Sequence, residues 1–388
     1  MDYRKKILFV SHLSFLNGAE KSLYTLIKGL QNQGDFFLVM MAPCAGPLVE
    51  KVKDMNVPVV VSKYFFWTGS RKKCFILRIV RVLLNVLATL VLYKKIKNYK
   101  FDMIYSNSLV VPVGAVLAKL LKIPHIWHAR EFVFEDFNGQ YDLGEKISMA
   151  LVNFLSENIV CNSKAVEKKL LSYKHWKKPT RVIYNGFDFS DTEQIDPQKK
   201  YDQCIGSIKG INLLIAGSIN SGKGQEDAIR AISILIKKGC LVNLLIAGTG
   251  NKNHIRYLKS IAEDTQVSRR IHFLGYVDNI ASLYKVSAIT LICSRNEAFG
   301  RTAIESLSHG TPVIATCRGG VPEIINDNVT GLLYEPENFT DLSDRIEKLL
   351  LDRVLYERLA SHGQTYVYNY FGKNRYVKQI KTVLKEYL

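Results

Sequence analysis

The sequence predicts an α/β protein built from two parallel-sheet domains in tandem. Three observations carry that prediction. The chain has 388 residues, more than one hydrophobic core usually serves, so two domains of about 190 residues are expected. Short β-branched apolar runs alternate with longer helical periodicities along both halves, the pattern of parallel strands joined by covering helices. Between the halves lies a polar, turn-rich stretch, NGFDFSDTEQIDPQKKYDQCIGSIKG, with no long apolar run, which reads as the linker.

In the first half, KILFVS, FFLVMMA, PVVVS, DMIYSN, PHIWHA and NIVCNS read as strands, with helices over Tyr24–Leu30, Leu109–Leu121 and Gly144–Leu155. In the second half INLLIAG, VNLLIAG, RIHFLG, AITLIC and TPVIAT read as strands, with EDAIRAISILIKKG and the stretch after Arg301 as helices. These spans predict an N-terminal domain over residues 1–190, a C-terminal domain over 205–365, and a last segment, 366–388, whose basic amphipathic helix returns to the first domain. Open parallel sheets take ligands at the carboxyl ends of their strands, so the active site is expected in the cleft between the domains.

Composition narrows the class. Seven cysteines, odd in number and without a Cys-x-x-Cys pair, fit a reducing cytosol. The N-terminus runs straight into a strand pattern, without an apolar signal core. The formal charge of +18 is lopsided, with +14 of it in residues 1–190. Within that half, Arg71 to Lys100 holds nine basic residues and no acidic one, which implies an anionic partner.

The chemistry is concentrated after the strand AITLIC. A loop from Ser294 to Gly300 leads into TAIESLSHG, a helical pattern ended by Gly310 and Pro312. Glu297 lies on the loop and Glu305 eight residues on, so both carboxylates can face the mouth of the strand-loop-helix junction. A carboxylate there accepts hydroxyl hydrogen bonds from a sugar or ribose, and the helix start presents N–H groups to a phosphate. Alone, glutamates in the first helical turns are better explained by the helix dipole. Two further motifs tip the balance. AGSINSGKGQ places Gly217 after a strand, with Ser218 next and Lys223 five residues beyond, within reach of a diphosphate; CRGGVPEII places Gly319 and Gly320 after another, where absent side chains would let phosphate or sugar approach the backbone.

Together these runs resemble the donor half of glycosyltransferase family 4, a retaining family with the GT-B fold of two Rossmann-like domains; the resemblance spans nearly the whole chain and is strongest from Asn212 to Leu333. It implies that Glu297 contacts the donor sugar, Glu305 the ribose and Lys223 the diphosphate, with Phe299 and Gly300 offering backbone amides. The donor would be a UDP- or GDP-sugar, with no other cofactor and no metal. Ser218 stands where the family often has Arg, and Ala298 where it often has Gly. In the first half, LNGAEKSL resembles the family's Gly-Gly-Ala-Glu loop and would set Gly18 against the donor phosphates. IPHIWHAREF ends a strand at His128, which the resemblance sets against the donor sugar; with Lys223 and Glu297 it completes the expected catalytic group, and Arg130 and Glu131 are acceptor-contact candidates.

A retaining glycosidase would use a carboxylate nucleophile, and the sequence offers no clear one. The resemblance implies same-face attack, with the donor phosphate taking the acceptor proton. Two other functions fit parts of the sequence: a nucleotide-sugar epimerase on the same architecture, and a basic nucleic-acid-binding protein. The Glu-x7-Glu run with its Gly-Lys partner favours transfer, and no nucleic-acid motif accompanies the basic half, so no nucleic-acid partner is expected.

The apolar stretch Cys74 to Tyr93 is about the length of a membrane span. Arg78, Arg81, Asn85 and Thr89 interrupt it on one helical face, and two arginines in mid-bilayer cost several kcal/mol. A helix lying in lipid headgroups, with RKK and YKKIKNYK on anionic lipid, accounts for residues 71–100 better than a helix packed inside the first domain. The expected partners are therefore a nucleotide-sugar, a glycan or lipid-linked acceptor and an anionic membrane surface, for a cytoplasmic protein peripheral on the inner face of the membrane.

Overall fold

The computed structural model describes residues 3–70, 75–134, 139–174, 176–190 and 210–388. Two compact units divide the chain: residues up to Asp188 together with Phe371–Leu388, and Phe189–Tyr370. Arg71–Cys74, at the head of the basic stretch, and linker residues 191–209 lie outside the described residues.

The first unit contains strands β1 (Lys5–Val10), β2 (Phe36–Ala42), β3 (Val59–Val61), β4 (Thr68–Ser70), β5 (Met103–Ser106), β6 (His125–Ala129), β7 (Gly139–Tyr141), β8 (Asn158–Cys161) and β9 (Thr180–Val182). Its helices are α1 (Gly18–Gln33), α2 (Pro47–Lys53), α3 (Phe75–Ile96), α4 (Val113–Leu121), α5 (Glu145–Leu155) and α6 (Lys164–Leu171). Seven strands form one parallel sheet in the order β3-β2-β1-β5-β6-β8-β9, while β4 and β7 pair as a separate antiparallel ribbon. In β1 the run Ile7, Leu8, Phe9 and Val10 is wholly buried on both faces, which is why it reads as a continuous apolar run rather than an alternating one. The apolar stripe Leu23, Leu26, Ile27 and Leu30 of α1 packs into the same core, and Gly34, at φ +70°, ends the helix by bonding back to Leu30 and Gln31.

The second unit contains β10 (Ile211–Ala216), β11 (Val242–Ala247), β12 (Ile271–Gly275), β13 (Ile289–Ile292), β14 (Val313–Thr316) and β15 (Leu332–Tyr334). Its helices are α7 (Gln225–Lys237), α8 (Lys252–Asp264), α9 (Ile280–Val286), α10 (Arg301–Ser308), α11 (Phe339–Leu351) and α12 (Arg353–Tyr370). The strands form a parallel sheet in the order β12-β11-β10-β13-β14-β15. The closing helix α13 (Lys373–Glu386) belongs to the first unit, where Tyr376, Val377, Ile380, Val383 and Leu384 join the core beside α1.

The strands read from the sequence are all present as strands. Two three-residue edge strands, β9 and β15, had no apolar run long enough to announce them. The helix expected from Leu109 begins at Val113, because Pro112 can enter a helix only at its start.

The helix α3 departs from expectation. Its polar residues do share one face, but that face turns inward. Arg81 donates to the Thr68 carbonyl at 2.9 Å and pairs with the buried carboxylate of Asp142, while the Arg78 guanidinium meets the Gln140 side-chain oxygen. Asn85 accepts from the Phe65 N–H at 3.0 Å, and Thr89 donates to the Asn85 carbonyl at 2.7 Å. Arg78 and Arg81 are therefore anchors of the helix rather than free headgroup ligands. The opposite face carries Phe75, Leu77, Leu83, Val86, Leu87, Leu90 and Val91, each at least half exposed. By length and composition the helical stretch Phe75–Tyr99 is long and apolar enough to cross a membrane, but its polar side is held by the body of the unit.

Candidate active site

In the second unit the strand order reverses between β10 and β13, and the carboxyl ends of these two strands define the crevice where an open α/β sheet takes its ligand. After β10 the chain turns at Gly217, φ +136°, whose N–H bonds the Ala247 carbonyl at 2.9 Å. A 3-10 turn, Ser221–Lys223, follows; Asn220 caps it by accepting from the Gly222 N–H at 3.0 Å. Gly224 lets this turn rest on the end of β13: a Cβ there would lie 2.0 Å from the Cys293 carbonyl oxygen, and its φ of +62° suits glycine. Lys223 is thereby aimed across the crevice. Its Nζ reaches Glu297 Oε2 at 2.5 Å, and Ser294 Oγ donates to the same oxygen at 2.9 Å. Ser218 stands exposed on the facing loop, its carbonyl accepting from Gln225 at 3.0 Å; Ser218, Lys223, Gln225, Ser294, Glu297 and Thr302 line one pocket.

Glu305 lies on α10, one turn past Arg301, whose Nε donates to it at 2.8 Å; Tyr284 donates to its other oxygen at 3.3 Å. Gly300, at φ +97°, starts this helix, and Phe299 and Ala298 are buried beneath the loop.

The glycines Gly319 and Gly320 serve a different purpose from the one the sequence suggested. The space a side chain would fill at Gly319 is occupied by Glu297 backbone, 2.3 Å from the projected Cβ, and at Gly320 by the Ala298 carbonyl at 2.5 Å. Gly320 N–H donates to the Glu297 carbonyl at 2.7 Å, and Thr316 Oγ1 to the Ser294 carbonyl at 2.7 Å. The glycine pair lets its loop pack directly against the backbone of the Glu297 loop. Gly319→Ala, at φ +69° with that contact, is expected to lower stability by about 1–3 kcal/mol, visible as a fall in Tm of several degrees on thermal unfolding.

The loop is clamped from its other side by Arg295, which bonds Asp227 at 2.6 Å and Glu337 at 3.2 Å. Neither this clamp nor Ser294 was singled out in the sequence. Arg301 could have been, standing four residues before Glu305 on one helical face.

The first unit holds the other site candidates. Gly18 is the first residue of α1 and does not need a left-handed backbone. His128, one residue before the end of β6, is wholly buried, with Nδ1 2.6 Å from the Tyr105 hydroxyl. Its Nε2 is buried and without a hydrogen-bond partner among the described residues, and burial, with Arg130 adding, holds the imidazole well below its usual pKa. Burial on this scale disfavours the charged form of the ring.

Arg130 and Glu131, expected as acceptor contacts, are both held by hydrogen bonds within the first unit. Arg130 is 6% exposed and fully engaged, donating to Asn107 at 2.9 Å, to the Tyr376 hydroxyl at 2.9 Å and to Asn185. Glu131 accepts from Ser108 Oγ at 2.6 Å and the Leu109 N–H at 2.7 Å.

Glu20 stands in the first turn of α1. It is wholly buried, and its Oε1 lies 3.0 Å from His12 Nδ1. Burial pushes the Glu20 carboxyl up to about 7 and the His12 imidazole down to about 3. A carboxyl raised in the folded state favours folding below its ordinary 4.5 and loses that contribution as pH rises through about 7. The lowered imidazole acts in the other direction, costing stability as pH falls from 6.5 toward 3. Glu20→Gln, which keeps a donor to His12, is expected to remove the loss on the alkaline side, a gain of up to about 3 kcal/mol above neutrality in denaturant titrations.

Comparison with known proteins agrees with this architecture. The Glycosyl transferases group 1 family matches residues 207–366 and Glycosyltransferase Family 4 matches residues 16–191. A glycosyltransferase of Methanocaldococcus jannaschii, itself uncharacterized, is 26% identical over 74% of this chain and 75% of its own length. The alpha-monoglucosyldiacylglycerol synthase of Streptococcus pneumoniae is 26% identical over 87% of this chain and 76% of its own. In fold, the Anabaena protein HepE, crystallised with UDP and glucose, superposes with a TM-score of 0.80 at 22% identity, covering 98% of this chain and 100% of that one. With both sheets parallel and GT-B in kind, and both halves matched by the two families, this chain belongs to the family 4, group 1 glycosyltransferases and is a transferase enzyme.

Proposed function

We propose that this glycosyltransferase moves a sugar, with retention, from a nucleotide-sugar to a hydroxyl on a lipid-linked or polysaccharide glycan at the cytoplasmic face of a membrane. The observation that carries the donor half is the Lys223–Glu297 pair at the β10/β13 switch point, with Glu305 on the helix that follows. The Lys223 ammonium and the Glu297 carboxylate lie 2.5 Å apart and neutralise each other. A diphosphate entering the crevice takes the ammonium, and the released carboxylate accepts sugar hydroxyls. Glu305, already positioned by Arg301, accepts from the ribose.

Transfer breaks the bond between the anomeric carbon and the diphosphate oxygen. The acceptor oxygen attacks the same face, and its proton passes to the departing phosphate oxygen. Lys223 and the N-terminus of α10 favour the charge developing on that oxygen, the largest single contribution expected in such a site. A nucleotide-sugar donor accords with the UDP and glucose in HepE.

The lipid half of the reading rests on α3, whose outward face is apolar and whose following lysines, Lys94, Lys95, Lys97 and Lys100, are exposed. That combination suits an anionic bilayer surface, and a relative named for a diacylglycerol product is in keeping with it. The test is incubation of the purified protein with a panel of nucleotide-sugars and a membrane lipid extract. Label entering the lipid fraction supports the reading; release of free sugar alone, with no labelled lipid or glycan, contradicts it.

A further inference from the structure

Beside the exposed face of α3 lies an open groove of about 410 Å³, walled by Val86 and Leu90 of α3, Val116 and Leu120 of α4, and Leu151 and Leu155 of α5. Its size falls within the range of small-molecule sites, of order 300–1,000 Å³. The groove walls are apolar side chains that the fold leaves uncovered, although α3 is already fastened by Arg81, Asn85 and Thr89. One polar group opens the question of an occupant. Asn85, 5% exposed, lines the groove; its Oδ1 accepts from Phe65, but its Nδ2 is buried without an acceptor among the described residues. A buried amide donor left alone is costly, so an acceptor-bearing occupant is favoured.

The surroundings specify its chemistry. Outside the groove the apolar face of α3 continues through Leu83 and Leu87, and on the far wall Phe154 is 63% exposed with the Lys119 ammonium 4.6 Å from its ring centre. Lys94, Lys95, Lys97, Lys119 and Lys122 are exposed around this surface, and the sequence from Arg71 to Lys100 contains no acidic residue. An apolar surface fringed by cations is complementary to a lipid with an anionic headgroup.

We infer that the groove between α3, α4 and α5 takes one acyl chain of an anionic phospholipid drawn from the bilayer, with Asn85 Nδ2 donating to its ester carbonyl. The inference rests on the membrane placement proposed above and deepens it: the surface does more than lie on the bilayer, since it extracts part of a lipid. A chain drawn from the bilayer exchanges one apolar medium for another, so the gain comes from removing the groove's own apolar walls from water.

The test uses the full chain and phosphatidylcholine vesicles containing roughly three parts in ten of a phosphatidylglycerol that carries a diazirine in mid-chain. Irradiation is expected to label the groove walls around Val86, Val116 and Leu151. Val116→Trp and Leu151→Trp, which fill the groove from two helices, are each expected to cut that labelling by roughly tenfold, while sedimentation with vesicles and thermal stabilisation by nucleotide-sugars persist. Either variant that keeps the wild-type unfolding profile suffices for the comparison. Labels confined to the outer face at Leu83 and Leu87, or labelling unchanged by a folded filled variant, overturn the inference while leaving membrane docking intact. A concentration-dependent dimer that buries α3 and takes no lipid label overturns it in favour of a second copy. Absence of vesicle binding, with nucleotide-sugar stabilisation retained, overturns both the groove and the membrane placement but not sugar transfer.

Discussion

Lys223→Ala is expected to lower kcat/KM for sugar transfer by about 10²–10³-fold and to leave a folded chain, as loss of one charge-stabilising donor does in other enzymes. The geometry separates the two effects. The lysine and Glu297 are 28% and 22% exposed, and a pair so open to solvent contributes only about 0–1 kcal/mol to stability. The same ammonium follows the 3-10 turn and lines the β10/β13 pocket, and in the function proposed above it meets the developing negative charge. Lys223→Arg is expected to recover part of the rate, because charge is kept while the reach changes. Glu305→Ala removes the ribose ligand proposed above together with its bond from Arg301 Nε, so its loss should fall mainly on donor affinity, raising KM with a smaller change in kcat. Steady-state kinetics beside thermal unfolding of both variants checks these expectations.

Replacing Leu83 and Leu87 together by Glu is expected to weaken partition onto anionic vesicles by about 10³-fold, since each leucine kept from the bilayer forfeits about 2 kcal/mol. Both side chains are more than half exposed, at 57% and 59%, so the fold loses little when they change. The wild type should also desorb as salt rises, because the contribution of the exposed lysines is screened beyond a Debye length. Vesicle sedimentation at low and high salt reads both effects.

Much of this was legible in the sequence because parallel strands buried on both faces announce themselves as unbroken apolar runs, as β1 and β13 do. The three-residue edges β9 and β15 carry too little pattern for that. The donor loop was legible as a series of motifs, yet the partner of each glycine was not: spacing cannot show that Gly319 and Gly320 lie under Glu297, or that Arg295 reaches Asp227 across 68 residues. Periodicity placed Arg78, Arg81, Asn85 and Thr89 on one face of α3. It cannot tell which face meets the body, and Asp142, 61 residues from Arg81, decides that. Arg130 had the composition of a ligand, but its three partners come from loops and a terminal helix far along the chain, Tyr376 being 246 residues away.

The most direct test of the donor site is thermal unfolding of the wild type, Lys223→Ala and Glu305→Ala across a panel of UDP- and GDP-sugars. A ligand held only by the folded state, present at a hundred times its Kd, stabilises by about 2.7 kcal/mol. At least one nucleotide-sugar should therefore raise the wild-type Tm by several degrees and leave both variants unmoved. A panel that shifts nothing, or one that shifts all three proteins equally, would contradict the assignment of Lys223, Glu297 and Glu305 as the donor site.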